Sequence, residues 1–259
     1  MRILIAGLGL IGTSLALDLT ALGHEVSGYD IRPEHLAAAE ALGAIGHRPP
    51  EPGGAYDAIV LAAPPRASIA LLERPWRASL WLDTGSVKGP ICAAAKALGL
   101  PFVGGHPLAG NAGAGPASAS AGLFAGRGFA LCPAGGPEAP AEDLVRSLGA
   151  RPIWLDPQDH DRQVAASSHL PYAFSCALAL LLKDAPPELV GPAAVEMLRV
   201  ATSPTGLWQE ILELNEAALN LAGQEIAKRL AETAAGLPEA LQAAREAARR
   251  MREEVEHGR

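Results

Sequence analysis

Gly7-Leu-Gly9-Leu-Ile-Gly12 is the densest chemical signal in the chain, directly following the apolar run Ile3 to Ala6 and opening a helical stretch from Thr13 to Leu22. In that strand–turn–helix setting, glycines at 7, 9 and 12 allow a tight turn, close backbone approach to a pyrophosphate and close helix packing. The amides around Leu10 and Ile11 then face the phosphates at a helix N-terminus. Asp30 ends the next strand, eighteen residues after Gly12, where a carboxylate accepts hydrogen bonds from an adenosine ribose. Its charge repels a 2'-phosphate and favours NAD over NADP, whereas Arg32, two residues on, could bind that phosphate. The alternative is a plain glycine turn in an α/β fold.

Four further segments hold candidate side chains. Leu82-Asp-Thr-Gly-Ser86-Val-Lys88-Gly-Pro is a strand end followed by a turn, where ligands of α/β sheets bind, so Ser86 is a candidate by position; a turn serine bonding its own backbone is the alternative. Gly104-Gly105-His106-Pro107-Leu108-Ala109-Gly110 displays His106 in extended backbone between glycines, as suits an acid or base; a structural or solvated loop histidine, the commoner case for such a residue alone, is the alternative. Ser167-Ser168-His169-Leu170-Pro171 sets a proline inside a helical pattern, which kinks the helix and leaves a carbonyl that His169 could satisfy, or a cavity that it could line. Arg199, at a helix end, reads alone as a surface arginine paired with Glu196 at i, i+3, and Trp208 opens the next helix. Asp159-His160-Asp161 follows Asp156 and Pro157 and reads as helix-start chemistry, not as metal ligation, and no metal site is expected.

These groups need elements to position them. Aliphatic runs at Ile3 to Ala6, Glu25 to Tyr29, Ala58 to Ala62, Leu80 to Leu82 and Phe102 to Val103 alternate with helical stretches, which predicts a Rossmann-like, mostly parallel sheet over residues 1–155. From 156 to 259 long helical segments rich in Ala, Leu, Glu and Arg predict an all-helical domain. A helix from Thr205 carries two apolar stripes, through Leu207, Ile211, Leu214, Ala218 and Leu221 and through Leu212, Leu219, Ile226 and Leu230. From Leu237 the last helix bears Leu241, Ala244, Ala248, Met251 and Val255 at spacings of three and four. Such seams predict a helical dimer interface. Pro49 to Gly54 and Ala134 to Pro140 read as loops.

Composition excludes several classes. In 259 residues, 49% hydrophobic and 19% charged argue against disorder, and the net charge of -7 argues against nucleic acid as a partner. Three scattered cysteines form neither a disulfide framework nor a zinc motif and fit a reducing cytoplasm. No stretch reaches the ~18 consecutive apolar residues of a membrane span, so neither a membrane nor a nucleic acid is expected as a partner.

Taken in order, the glycine fingerprint, Gly85-Ser86-Val87-Lys88-Gly89, Gly105-His106-Pro107-Leu108-Ala109-Gly110, Leu123-Phe124-x-Gly126-Arg127, Ser168-His169-Leu170-Pro171 and the Arg199 to Trp208 segment resemble the prephenate and arogenate dehydrogenase family of tyrosine biosynthesis, from Gly7 to about Asn215. The resemblance implies NAD-dependent oxidative decarboxylation of prephenate to 4-hydroxyphenylpyruvate, in a cytoplasmic homodimer joined through the helical domain. It gives His106 the role of base toward the ring hydroxyl and Ser86 that of orienting this hydroxyl and the nicotinamide. Arg199 would bind a substrate carboxylate, with His169 and Trp208 in the substrate pocket; Lys88, Arg199 and protonated His169 are the cations expected to attract a dianionic substrate. Four positions depart from the pattern: Asn111-Ala112 replaces the Thr-Glu of many prephenate-using members, Tyr172 replaces a second histidine, and Ser203 replaces an aspartate before Pro204. The alternatives are arogenate as substrate and a nucleotide-binding module that has lost catalysis. A hydroxyacid dehydrogenase is disfavoured because Lys183 and Lys228 lack a fitting motif.

Overall fold

The computed structural model describes residues 1–46, 54–111, 113–236 and 238–257. Its short aliphatic runs pair as strands, and the segments between them wind into helices: β1 (Arg2–Ala6), α1 (Leu10–Ala21), β2 (Glu25–Tyr29), α2 (Pro33–Ala41), β3 (Ala55–Leu61), α3 (Pro65–Leu71), β4 (Arg77–Asp83), α4 (Gly89–Ala97) and β5 (Phe102–Pro107). Then follow β6 (Gly128–Ala134), α5 (Glu138–Ser147), β7 (Arg151–Trp154) and α6 (Pro157–Val164). The seven strands lie in the order β2-β1-β3-β4-β5-β6-β7. The first five are mutually parallel, β6 runs antiparallel to β5, and β7 is parallel to β6. The chain moves outward from β1 to β2 and crosses back to β3, so the sheet changes winding direction between β1 and β3. A ligand crevice opens above the carboxyl ends of strands at such a point.

Side-chain alternation gives the sheet two apolar faces. Ile3, Ile5, Val60, Leu82 and Val103 pack with Leu15 and Leu19 of α1 and Leu144 of α5, while Leu4, Ile59, Leu61, Trp81 and Phe102 pack with Leu72 and Ile91 on the other side. A mostly parallel sheet covered on both faces is the expected Rossmann-like architecture. The sequence reading overlooks β6 and β7: β6 begins at a glycine and contains Pro133, and β7 is four residues long with Pro152 inside it. Of the expected loop from Ala134 to Pro140, only the turn at 135–137 stays irregular, because Pro140 falls in the first turn of α5, where its missing N–H costs nothing. The other expected loop, Pro49 to Gly54, lies outside the described residues apart from Gly54.

The chain divides into two compact units, residues 1–163 with 203–214, and 164–202 with 215–259. The first reaches past the 155/156 boundary read from the sequence because α6 belongs to it, Asp161 accepting the amides of Lys88 and Gly89. Asp156 Oδ1 caps α6 by accepting from the Gln158 amide at 2.8 Å.

The second unit is helical, with a wide π turn at Ala165–His169 followed by α7 (Leu170–Leu182) and α8 (Pro192–Leu198), then, after α9 (Thr205–Leu214) of the first unit, α10 (Glu216–Ala234) and α11 (Pro238–His257). The wide turn accommodates Pro171 without breaking the helix. Ser175 ties α7 to the segment after α8, donating to the Met197 carbonyl at 2.6 Å and accepting from the Ala201 amide at 2.9 Å. The single helix expected from Thr205 is in fact two. It breaks at Asn215, whose side chain is buried against His169, and α9 instead meets α3, with the Arg66 amide and guanidinium donating to Glu210 and Glu213 at 3.1 and 2.8 Å. The helical run Pro157–Leu182 is long and apolar enough to cross a membrane by length and composition. Four polar residues along it, His160, Asp161, His169 and Ser175, are buried within the protein.

Candidate active site

The three glycines of the fingerprint differ in what surrounds them. Gly7 has φ +102°, and a side chain there would meet the Ala62 backbone at 2.5 Å; a Cβ on Gly12 would stand 1.8 Å from the Gly7 carbonyl oxygen. Gly9 has no atom within 4 Å of such a Cβ. Two glycines thus build the turn, and the middle one borders open space. Helix α1 has Gly9 as its N-cap and no side-chain cap, so its first-turn amides fit an anionic group, as a dinucleotide pyrophosphate would supply. Leu10 and Ile11 are half-buried in this turn.

Asp30, at the end of β2, is held from three sides. Oδ2 accepts from the Leu8 amide at 2.7 Å and faces His35 Nδ1 at 3.3 Å, and Oδ1 accepts from the Arg32 amide at 2.9 Å. Two carboxylate oxygens offer about four acceptor sites, so one remains for a ribose hydroxyl. The Arg32 side chain is exposed. His35 is an addition that the sequence reading did not single out.

The turn after β4 and the end of β5 are locked together by a buried ion pair. Lys88 and Asp83 are almost fully buried, and the Lys88 ammonium donates to Asp83 Oδ2 and, at 2.6 Å, to the Gly105 carbonyl. Asp83 Oδ1 accepts from the Gly105 amide at 2.9 Å, and Oδ2 from the Gly85 amide at 2.9 Å. Both polar groups of Gly105 are thereby clamped, and a Cβ at Gly105 would lie 2.3 Å from the Asp83 carbonyl oxygen. The next residue is His106. Lys88 thus corrects the sequence reading: its ammonium is committed inside the protein and is not a cation presented to substrate. Such a pair is retained where further hydrogen bonds satisfy both charges, as they do here. Ser86 sits half-buried in the turn between its two members.

His106 Nδ1 lies 3.0 Å from His160 Nε2, and His160 Nδ1 lies 2.8 Å from Asp161 Oδ1. Asp161 also accepts from the amides of Lys88 at 2.7 Å and Gly89 at 2.8 Å, supplying the cap that Lys88 does not give α4. Asp159 alone keeps the simple helix-start role, pairing with Arg162 at 2.9 Å on the surface. No short-range signal could reveal this linkage, since Lys88 and Asp161 are 73 residues apart. Burial pushes the Cys92 and Cys132 thiols up to about 12, so neither supplies a thiolate near neutral pH.

In the second unit His169 is buried, its Nδ1 3.1 Å from Asn215 Nδ2. Arg199 is 70% exposed and pairs with Glu196 at 3.0 Å, the i, i+3 contact read from the sequence. Trp208 lies half-buried on α9 of the first unit. Asn111 pins its loop, Oδ1 accepting from the Gly113 amide at 2.8 Å and Nδ2 donating to the Ser118 carbonyl at 3.0 Å; Ala112 lies outside the described residues.

Comparison with known proteins gives two matching family models: "Prephenate dehydrogenase, nucleotide-binding domain" over residues 15–151, and "Prephenate dehydrogenase, dimerization domain" over 156–255. A probable prephenate dehydrogenase of Streptomyces niveus is 35% identical, the match covering 82% of this chain and 62% of the relative. The chain spans less than two thirds of the length of this and the next two curated relatives it matches. Among solved structures, prephenate dehydrogenase of Aquifex aeolicus in complex with hydroxyphenyl propionate and NAD+ superposes with a TM-score of 0.87 at 25% identity, over 98% of both chains. An arogenate dehydrogenase of Synechocystis superposes with a TM-score of 0.82 at 26% identity, over 98% of this chain and 99% of the other.

Proposed function

The chain belongs to the prephenate dehydrogenase family, and from that premise we propose that it oxidatively decarboxylates prephenate to 4-hydroxyphenylpyruvate with NAD, as a cytoplasmic homodimer joined through its helical unit. The observation that carries this reading is the position of His106 at the carboxyl end of β5, in the same sheet whose β1 leads into the uncapped, glycine-bordered turn before α1. Gly9 and the first-turn amides of α1 would hold the pyrophosphate, and Asp30 the ribose; the Asp30 carboxylate supports NAD over NADP. When bound, the dinucleotide supplies the acceptor for the hydride that leaves the carbinol carbon.

In this reading His106 takes the ring hydroxyl proton as the carbonyl forms, and loss of the ring carboxylate as carbon dioxide then aromatises the ring. Ser86 orients the same hydroxyl, a positioning role in which small displacements are costly. Arg199 binds a substrate carboxylate: its exposed contact with Glu196 is worth little, so a charge-assisted, bidentate partner replaces it readily. The family resemblance assigns substrate contacts to His169 and Trp208 as well.

Arogenate is a second reading, and one observation favours it. Asn111-Ala112 stands where many prephenate-using relatives carry Thr-Glu, so the sequence has no carboxylate there. The test of the catalytic assignment is His106→Asn. Dinucleotide affinity is expected to stay within twofold of the parent, while prephenate-dependent NAD reduction falls by about 10²-fold or more. Turnover close to that of the parent would overturn it.

A further inference from the structure

His106, His160 and Asp161 form a chain of hydrogen bonds anchored at Asp161. The Asp161 carboxylate can only accept, and it already takes the amides of Lys88 and Gly89. His160 Nδ1, 2.8 Å from Asp161 Oδ1, must therefore carry a proton. With that proton as the ring's only one, His160 Nε2 accepts, and the group that meets it, His106 Nδ1 at 3.0 Å, donates. His160 is 1% exposed and Asp161 7%, so solvent does not compete for the bond between them. The rings of His106 and His160 stand edge to face at 5.2 Å between centroids, which holds the first ring at one angle to the second.

We propose that His160 and Asp161 are positioning residues for His106: they hold its imidazole in the Nδ1–H form, so that Nε2 is the nitrogen that takes the substrate proton. The proposal rests on the reading of His106 as the base. As that base becomes cationic, its Nδ1–H bond to His160 strengthens and the Asp161 charge acts through the intervening ring. A carboxylate that orients and steadies a catalytic imidazole in this way is worth orders of magnitude in turnover where the wrong tautomer is the alternative. The paired Lys88 and Asp83 meet the backbone one residue before His106. They clamp the Gly105 peptide and so fix where His106 begins.

Two readouts test this on the full-length protein. In histidine-¹⁵N-labelled protein without substrate, the His106 resonances, identified by their loss in His106→Asn, are expected to show the Nδ1–H tautomer, and His160→Leu is expected to abolish that preference. In the same variant kcat for prephenate, or for arogenate if that is the better substrate, is expected to fall about 10- to 100-fold, with KM for substrate and dinucleotide within twofold. His160→Gln, whose side-chain carbonyl can still accept from His106, is expected to recover part of the loss. Thermal unfolding confirms that each variant is folded. An Nε2–H tautomer in the parent, a tautomer unchanged in folded His160→Leu, or a kcat within twofold of the parent would each overturn the proposal. Because the tautomer is read without substrate, a parent protein that turned over neither compound would sink the proposed function while leaving this chain of bonds to stand or fall on its own spectrum.

Discussion

Asp18 on α1 bears an electrostatic cost at a single residue. Its Oδ1 accepts from the Gly122 amide at 2.7 Å, while Oδ2 is buried with no hydrogen-bond partner among the described residues. Burial raises its pKa above the ordinary carboxylate value, against the smaller opposing effect of the Gly122 bond. A raised folded-state value means that the protonated form is favoured on folding. The associated stability is present below the ordinary value and is lost as pH rises through the folded one. Asp18→Asn keeps the acceptor for Gly122 and removes the charge, so thermal unfolding should show a higher Tm than the parent at about pH 7 and a much smaller difference at about pH 4. Equal gains at both would contradict this account. At this scale the glycines, Asp30 and His106 were legible because steric demand and strand ends leave a local signature. The partners of Lys88 and the linkage of His160 to His106 were not, since they depend on residues that only the fold brings together.

The turn between β1 and α1 separates two kinds of glycine, and substitution tells them apart. Gly12→Ala drives a methyl into the Gly7 carbonyl and should cost about 1–3 kcal/mol of stability or more. Gly9 has φ -76°, which alanine tolerates, and open space beside it. Gly9→Ala should keep stability within about 1 kcal/mol yet weaken NAD binding about tenfold or more, because its methyl enters the path of the pyrophosphate. Unfolding curves and dinucleotide titration check both; undiminished NAD affinity in Gly9→Ala would remove the phosphate site from this turn. Periodicity found the first five strands and the helical half. It overlooked β6 and β7, whose prolines and glycines interrupt their patterns, and it read through Asn215, where the helical spacing continues although the backbone turns.

The apolar seam of α11 remains exposed in the single chain, with Leu241 at 49%, Met251 at 55% and Val255 at 47%. That seam was legible as an i, i+3, i+4 pattern, although Leu237, with which it begins, lies outside the described residues. Replacing Leu241 and Met251 together by glutamate should convert a dimer to a monomer in light scattering while leaving the nucleotide-binding unit folded, since charges cannot be buried in a helical seam without partners. An unchanged mass would place the interface elsewhere. The fold class and the family were both visible in the order of the motifs; the divided course of the chain was not, because residues 203–214 return to the first unit. The whole account turns on one measurement, the initial rate of NADH formation by the purified protein offered prephenate and NAD, with arogenate and NADP run in parallel. The account predicts that prephenate with NAD gives the highest kcat/KM. A clear preference for arogenate would contradict the substrate assignment and make Asn111 and Ala112 its determinants, and no turnover with either compound would contradict the catalytic reading altogether.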